Sequence, residues 1–221
     1  MKPIGIFGGA FAPFHNGHLR LAIEARDRLE LERVHLVPTA RSLHRPESRI
    51  SPQRRLEWLR LALRKDKSLV PDDRELLRSG PSFTVDTLNE LRLEYPTSPL
   101  VLLMGADAFA HLHSWNRWQQ IFELAHVAVV ARHGSKLAAS PECAAFLQDR
   151  RANNVQTLHE KMSGHWLQLD LPLLDISSTR IRRLLKTGHS VRGLVPDAIL
   201  NHMTAADRAA LTTQDEDATN H

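Results

Sequence analysis

The chain opens with an apolar run, Pro3 to Phe7, that stops at Gly8-Gly9. A short continuous apolar run closed by glycine reads as a strand buried on both faces. Leu19, Ala22, Ile23 and Leu29 then fall near the i, i+3, i+4 spacing of a helix face. Val34 to Val37 reads as a second strand ended by Pro38. Ser51-Pro52 places a capping residue before a proline at the first helical position, with Leu56, Leu59 and Leu63 as the buried stripe behind it. Thr84, Val85, Leu88 and Leu91 predict a capped helix, and Leu100 to Met104 and Val127 to Ala131 predict two further buried strands. Near the end, Ile181, Leu184 and Leu185 follow a run of hydroxyl residues, and Gly188 closes that helix. Pro196 and Ile199, then Ala205 to Leu211, predict short helices packed on the core, while residues 212–221 are polar, acidic and aperiodic, as in a disordered tail. The order strand, helix, strand, helix predicts an α/β fold with a largely parallel sheet, in a single domain over residues 1–211.

Composition narrows the chemistry. A chain of 221 residues buries roughly 70% of its unfolded surface, so its core needs no covalent staple. The single cysteine, Cys143, excludes an intrachain disulfide and a cysteine-based zinc site and fits a reducing compartment. Met1-Lys2-Pro3-Ile4-Gly5 has no signal-peptide stretch, and apolar runs stop at about five residues where a bilayer span needs about 20. No membrane insertion and a cytoplasmic location are therefore expected. Twenty-nine Lys and Arg against 25 Asp and Glu give a net charge of +4, without a stretch of five or six consecutive basic residues, and aromatics are only 5%. That balance favours small anionic ligands over nucleic acid. It leaves a homo-oligomer open.

Two constellations carry the candidate chemistry. The first is the loop Gly8-Gly9-Ala10-Phe11-Ala12-Pro13-Phe14-His15-Asn16-Gly17-His18. Its glycines allow close approach of the backbone to a ligand, with positive φ where required. The loop is expected beyond the carboxyl end of a strand, where open α/β sheets bind ligands. His15 and His18 lie three apart at a helix start, so they face one point that also receives unpaired N–H groups and the positive end of the helix dipole. A His-x-x-His pair alone is more often inconsequential, or occasionally a zinc pair, but no further ligand set is spaced with it. The flanking strand, glycines and helix favour phosphate, although neither the Walker nor the G-x-G-x-x-G spacing occurs. The second constellation is Ile176-Ser177-Ser178-Thr179-Arg180-Ile181-Arg182. Hydroxyl residues are ordinary helix caps. Followed by two guanidinium groups, they make a second anion site, and two such sites point to a ligand with several phosphates.

With these residues in view, the chain resembles a known group. Gly8-Gly9-x-Phe11-x-Pro13-x-His15-x-Gly17-His18 resembles the (H/T)-x-G-H signature of the nucleotidyltransferase superfamily, and residues 176–182 resemble its S-S-T-x-I-R companion, about 160 residues away. Asp73-Arg74-Glu75, Arg78-Ser79-Gly80, Ser82-Phe83-Thr84, Asp86-Thr87-Leu88, Gly105-Ala106-Asp107 and His113-Ser114-Trp115 are similar to blocks of the bacterial nicotinate-mononucleotide adenylyltransferases. The resemblance implies a Rossmann-like, doubly wound fold. It implies adenylyl transfer from ATP, accompanied by Mg2+, to nicotinate mononucleotide, giving deamido-NAD and pyrophosphate. It implies His15, His18 and Arg182 as catalytic residues. It implies an ATP site at Gly8, Gly9, Phe11, Gly17, His18, Gly105, Asp107, Ile176, Ser177, Ser178, Thr179 and Arg182. It assigns the mononucleotide to His44, Arg45, Ser82, Thr84, Trp115 and Trp118. Metal ligands from the protein are not implied.

The chain departs from that pattern at Ala10 and Ala12, where the family has Ser or Thr and Asp, and more mildly at Phe83 for tyrosine. The two alanines motivate an alternative, a catalytically weak nucleotide-binding protein. A pantetheine-phosphate adenylyltransferase would resemble only the two phosphate motifs. A class I aminoacyl-tRNA synthetase fragment finds only a partial echo of its lysine loop in Lys161-Met162-Ser163-Gly164.

Overall fold

The structure, a computed structural model, describes residues 1–41, 48–132, 137 and 139–213. The chain runs through β1 (Ile4–Gly9), α1 (Asn16–Arg28), β2 (Arg33–Pro38), α2 (Pro52–Leu63), β3 (Leu69–Pro71), α3 (Arg74–Leu77) and α4 (Thr84–Glu94). It continues through β4 (Leu100–Gly105), α5 (Ala106–Ala110), a 3-10 turn (Leu112–Ser114), α6 (Trp118–Leu124), β5 (His126–Arg132), α7 (Pro141–Gln148) and α8 (Gln156–Glu160). It closes with β6 (Trp166–Leu171), α9 (Ser178–Lys186), α10 (Asp197–Leu200) and α11 (Ala205–Thr213). The strands form one sheet in the order β3-β2-β1-β4-β5-β6, which reverses beside β1, the doubly wound arrangement. β1 pairs in parallel with β4, β4 with β5 and β5 with β6, from registers such as Ile4 opposite Leu100 and Val101 opposite His126.

Contacts cluster into two units, each assembled from three stretches of chain. In their described parts they are Met1–Gly8, Ala22–His35 and Phe83–Leu173, and Gly9–Leu21, Leu36–Ser82 and Leu174 onward. In the first unit the apolar runs of β4 and β5 are buried throughout, apart from Gly105, as strands covered on both faces must be. Val85, Leu88 and Leu91 of α4 are fully buried, and α4 packs against α6. The capped start expected for α4 is absent. Phe83 occupies the cap position without a side-chain hydrogen bond, and Thr84 is the first helical residue. The burial stripe of α1 also differs from expectation: it runs through Ala22, Ala25 and the following Leu29, while Leu19 and Ile23 are half-exposed.

The second unit contains the capping chemistry that the sequence suggests. The Ser51 hydroxyl accepts the Arg54 N–H at 3.2 Å, and Leu56, Trp58, Leu59 and Leu63 are buried behind it. α9 ends in a Schellman motif: His189 N–H reaches Leu184 O, Gly188 N–H reaches Leu185 O, and Gly188 takes φ +74°. Thr204 and Asp207 cap α11 reciprocally, the Thr204 N–H donating to Asp207 at 2.8 Å and the Asp207 N–H to the Thr204 hydroxyl at 3.1 Å. Arg54 of α2 then grips Asp207 at 2.7 Å and the His202 carbonyl at 2.6 Å. This anchored helix runs to Thr213, so Thr212 and Thr213, expected in the tail, are helical. Residues 214–221 lie outside the described part. Among the described residues no helix is long and apolar enough to cross a membrane.

Candidate active site

The loop after β1 does not place its positive φ where the glycines suggested. Gly8 and Gly9 are the extended last residues of β1, and the left-handed residue is Phe11, at φ 47°. A side chain pays roughly 1–2 kcal/mol for that conformation. The Phe11 ring is buried in return, packed edge-on to Phe14 with centroids 5.4 Å apart and to His18 at 5.1 Å. Gly9 serves close approach instead, since a Cβ there would stand 2.8 Å from the Phe11 ring.

His15 and His18 form a capping box made of two imidazoles. His15 is the residue before α1, and its Nδ1 accepts the His18 N–H at 3.2 Å. The Nδ1 of His18 accepts the His15 N–H at 3.3 Å. This is the reciprocal pattern usually built from Ser or Thr and Glu. The rings stack with centroids 3.5 Å apart. Because each Nδ1 is an acceptor, each ring carries its proton on Nε2 and is a neutral donor. Burial lowers the His15 pKa to about 4, and burial together with the neighbouring His15 holds His18 well below the usual histidine range. Protonating either Nδ1 would set two N–H groups against each other.

Gly17 sits inside this box because a Cβ there would lie 3.0 Å from His15 Nδ1 and 3.3 Å from the Ile176 carbonyl oxygen. The Asn16 N–H donates to Leu194 O at 2.8 Å and its side chain to Gly193 O at 2.8 Å. Among the described residues, that leaves the Gly17 N–H as the donor of the first turn with no protein acceptor. An anion fits such a donor at a helix N-terminus.

The second motif folds directly onto this loop. The Ser177 hydroxyl caps α9, accepting the Arg180 N–H at 3.1 Å. The Ser178 hydroxyl donates to Pro13 O at 3.1 Å. Arg182 donates to Ala12 O at 3.1 Å and to the Thr179 hydroxyl at 3.2 Å. Ser178 and Arg182 therefore hold the loop directly, while Ser177 caps α9 and Thr179 steadies the Arg182 guanidinium. Ala12 is itself buried, so a carboxylate at this position would need a partner in the interior. Ser82 also does structural work, its hydroxyl accepting the N–H groups of Ala40 and Arg41 at 3.2 and 3.3 Å. His44 and Arg45 lie outside the described residues.

The other unit holds the remaining expected residues. Gly105 ends β4, and Asp107 is exposed in the first turn of α5. Trp115 and Trp118 are half-buried, and the Trp118 ring meets Phe146 edge-on at 4.9 Å. Thr84 opens α4, whose Asp86 is ion-paired with Arg117, the left-handed residue between the two tryptophans. Thr84 and the Trp115–Trp118 segment are thereby tied together. Lys161-Met162-Ser163-Gly164 is a structural turn: its Lys161 and Met162 carbonyls accept from His126 and Arg92.

The cytidylyltransferase-like family model matches residues 6–184. A "Probable nicotinate-nucleotide adenylyltransferase" of Marinobacter nauticus is 44% identical over 201 residues, 90% of this chain and 93% of the relative. The protein of the same name from Aeromonas hydrophila is 43% identical over 91% of this chain and 94% of its own length. This chain belongs to the nicotinate-nucleotide adenylyltransferase family. The fold agrees with the Plasmodium falciparum nicotinic acid mononucleotide adenylyltransferase complexed with NaAD, at a TM-score of 0.67 and 16% identity, covering 91% of this chain and 96% of that one.

Two features of the site escaped the sequence reading. The histidine box was hidden because the familiar box is sought with hydroxyl and carboxylate side chains. Arg55, on α2, was hidden in an apolar stripe; the only signal was a charge at a position flanked by Leu56 and Leu59.

Proposed function

We propose that this chain transfers the adenylyl group of ATP to nicotinate mononucleotide, giving deamido-NAD and pyrophosphate. A phosphate oxygen of the mononucleotide attacks the α-phosphorus, the bond to the bridging oxygen breaks, and pyrophosphate leaves with that electron pair. The nucleophile is already anionic near neutral pH, its second pKa being about 6. The protein therefore needs donors and alignment rather than a strong base. The observation that carries the reading is the neutral histidine pair in its mutual box, beside the α9 motif.

His18 Nε2–H is assigned to the α-phosphate, with His15 and the Gly17 N–H on neighbouring phosphate oxygens. Arg182 and the Ser177–Thr179 turn are assigned to the β and γ groups. Gly8, Gly9, Phe11, Gly105, Asp107 and Ile176 complete the ATP site in this reading. Thr84, Ser82, Trp115 and Trp118 take the mononucleotide, the indoles stacking on the pyridine ring. His44 and Arg45 close over the phosphates.

Enzymes of this kind generally use a divalent metal with ATP. Among the described residues no three His, Cys, Asp or Glu side chains gather as a cation site, and both histidines spend their Nδ1 lone pairs on backbone N–H groups. Mg2+ therefore suits this site as an ion carried on ATP by phosphate oxygens and water, where it neutralises phosphate charge. The cytoplasm, which supplies ATP, is the assigned compartment.

Pyrophosphate release from ATP and nicotinate mononucleotide tests the reading. Release that requires the mononucleotide and yields the dinucleotide supports it. Release with pantetheine phosphate instead, or with neither acceptor, contradicts it.

A further inference from the structure

Arg55 is a buried cation held mainly by backbone oxygens. It projects from α2 and is 3% exposed. Its Nη1 donates to Ala10 O at 2.6 Å, its Nη2 to Thr39 O at 2.7 Å and its Nε to Ile50 O at 3.3 Å. Burial draws its pKa down to about 10, partly offset by the Glu75 carboxylate. Ala10 and Thr39 are the residues that immediately follow β1 and β2, and the Thr39 N–H bonds back to Gly9 O at 2.9 Å. The guanidinium fork thus joins two strand ends just where the candidate loop begins. A buried guanidinium is costly even with three carbonyl acceptors and one carboxylate nearby, which argues for a positional demand that an apolar side chain could not meet.

The consequence lies one peptide further on. Ala10 O belongs to the peptide unit that leads into Phe11, so fixing that oxygen fixes the plane from which Phe11 takes its left-handed φ. The Phe11 and His18 rings then meet edge to face. We infer that Arg55 is a positioning residue for the histidine pair, acting through the Ala10–Phe11 peptide and the Phe11 ring. This rests on the adenylyltransferase reading for its effect on rate, and on geometry alone for its effect on the imidazoles.

Arg55→Lys keeps the charge but replaces a planar fork spanning three carbonyls with a single ammonium. With ATP and nicotinate mononucleotide, the expected result is a fall in kcat of about ten- to a hundredfold, the scale of an ångström misplacement. KM for the mononucleotide should stay within about twofold, the scale left to uniform binding. The His18 ring resonance, identified by its disappearance in His18→Ala, should shift in the same variant without added nucleotide. A folded Arg55→Lys with parental kcat and an unshifted His18 resonance overturns the inference. If the wild type releases no pyrophosphate, the adenylyltransferase reading fails, while the resonance still decides the positioning role in either direction. If Arg55→Lys does not fold, Phe11→Leu tests the second link: it should lower kcat and shift His18, and parental values for both would overturn the proposal.

Discussion

The loop from Gly9 to His18 and the stretch from Gly105 to Trp118 both carry residues assigned to ligands, yet they are built in opposite ways. In the first, polar groups answer one another: two imidazoles cap one helix, and Ser178, Arg182 and Asn16 hold carbonyls of Pro13, Ala12 and Gly193. In the second, Asp107 is exposed, Trp115 and Trp118 are half-buried, and Asp86–Arg117 is the ion pair that ties the segment to α4. The difference matches the work proposed for each. Groups that stabilise developing charge are most effective when fixed before the reaction. Groups that choose between two similar rings can stay on an open surface and order around the ligand.

Breaking the ordered region should have the largest effect. His18→Ala removes one preorganised donor, a loss expected to be about 10²–10³ in kcat, or roughly 2.7–4 kcal/mol. It also removes half of the capping box, costing about 0.5–2 kcal/mol of stability. Steady-state kinetics and thermal melting read the two losses separately. A parental kcat would remove His18 from the chemistry.

The next effect is on stability against pH. His15 and the fully buried His126 both have pKa values lowered to about 4, so below their ordinary value of 6.5 the unfolded chain binds more protons than the folded one. Stability should be flat above pH 7 and fall as the pH drops from about 6.5 toward 4. At pH 5.5 each group should account for roughly 1.4 kcal/mol. Urea unfolding at pH 7.5 and 5.5 measures this, and equal midpoints would contradict neutral burial.

The open region should show the smallest and most selective change. In the proposed pocket a carboxylate would accept from Thr84 and nearby N–H groups, whereas a carboxamide would present its own donors to them. Thr84→Val should therefore narrow the preference for nicotinate over nicotinamide mononucleotide by about tenfold, the worth of roughly 1.4 kcal/mol. The ratio of the two kcat/KM values reads it. An unchanged ratio would detach Thr84 from ring recognition.

What the sequence made legible follows the same division. Continuous apolar runs marked β1, β4 and β5, and a run broken only by His35 marked β2, because strands buried on both faces leave little room for polar residues. β6 carries Gln168 and Asp170 at the edge of the sheet, with Trp166 to Gln168 half-exposed and Asp170 exposed, and no run marks it. β3 and α3 are too short for a period to show. The α9 cap and its glycine stop were legible from local hydrogen-bond chemistry. The left-handed conformation of Phe11 was not, because its cost is met by ring packing and by Arg55 from a distant helix. The His-x-Gly-His spacing marked a candidate site, but only the hydrogen bonds disclosed which nitrogen carries each proton.

That protonation state is the centre of the account, and nitrogen-15 spectra of the imidazole rings at pH 7 measure it directly. His15 and His18, identified by single substitution, should each show a bare Nδ1 and a protonated Nε2. Both should keep that pattern to at least pH 5.5, one unit below the ordinary histidine value. A doubly protonated ring at pH 7, or a proton on either Nδ1, would contradict the neutral capping box and the donor role built on it.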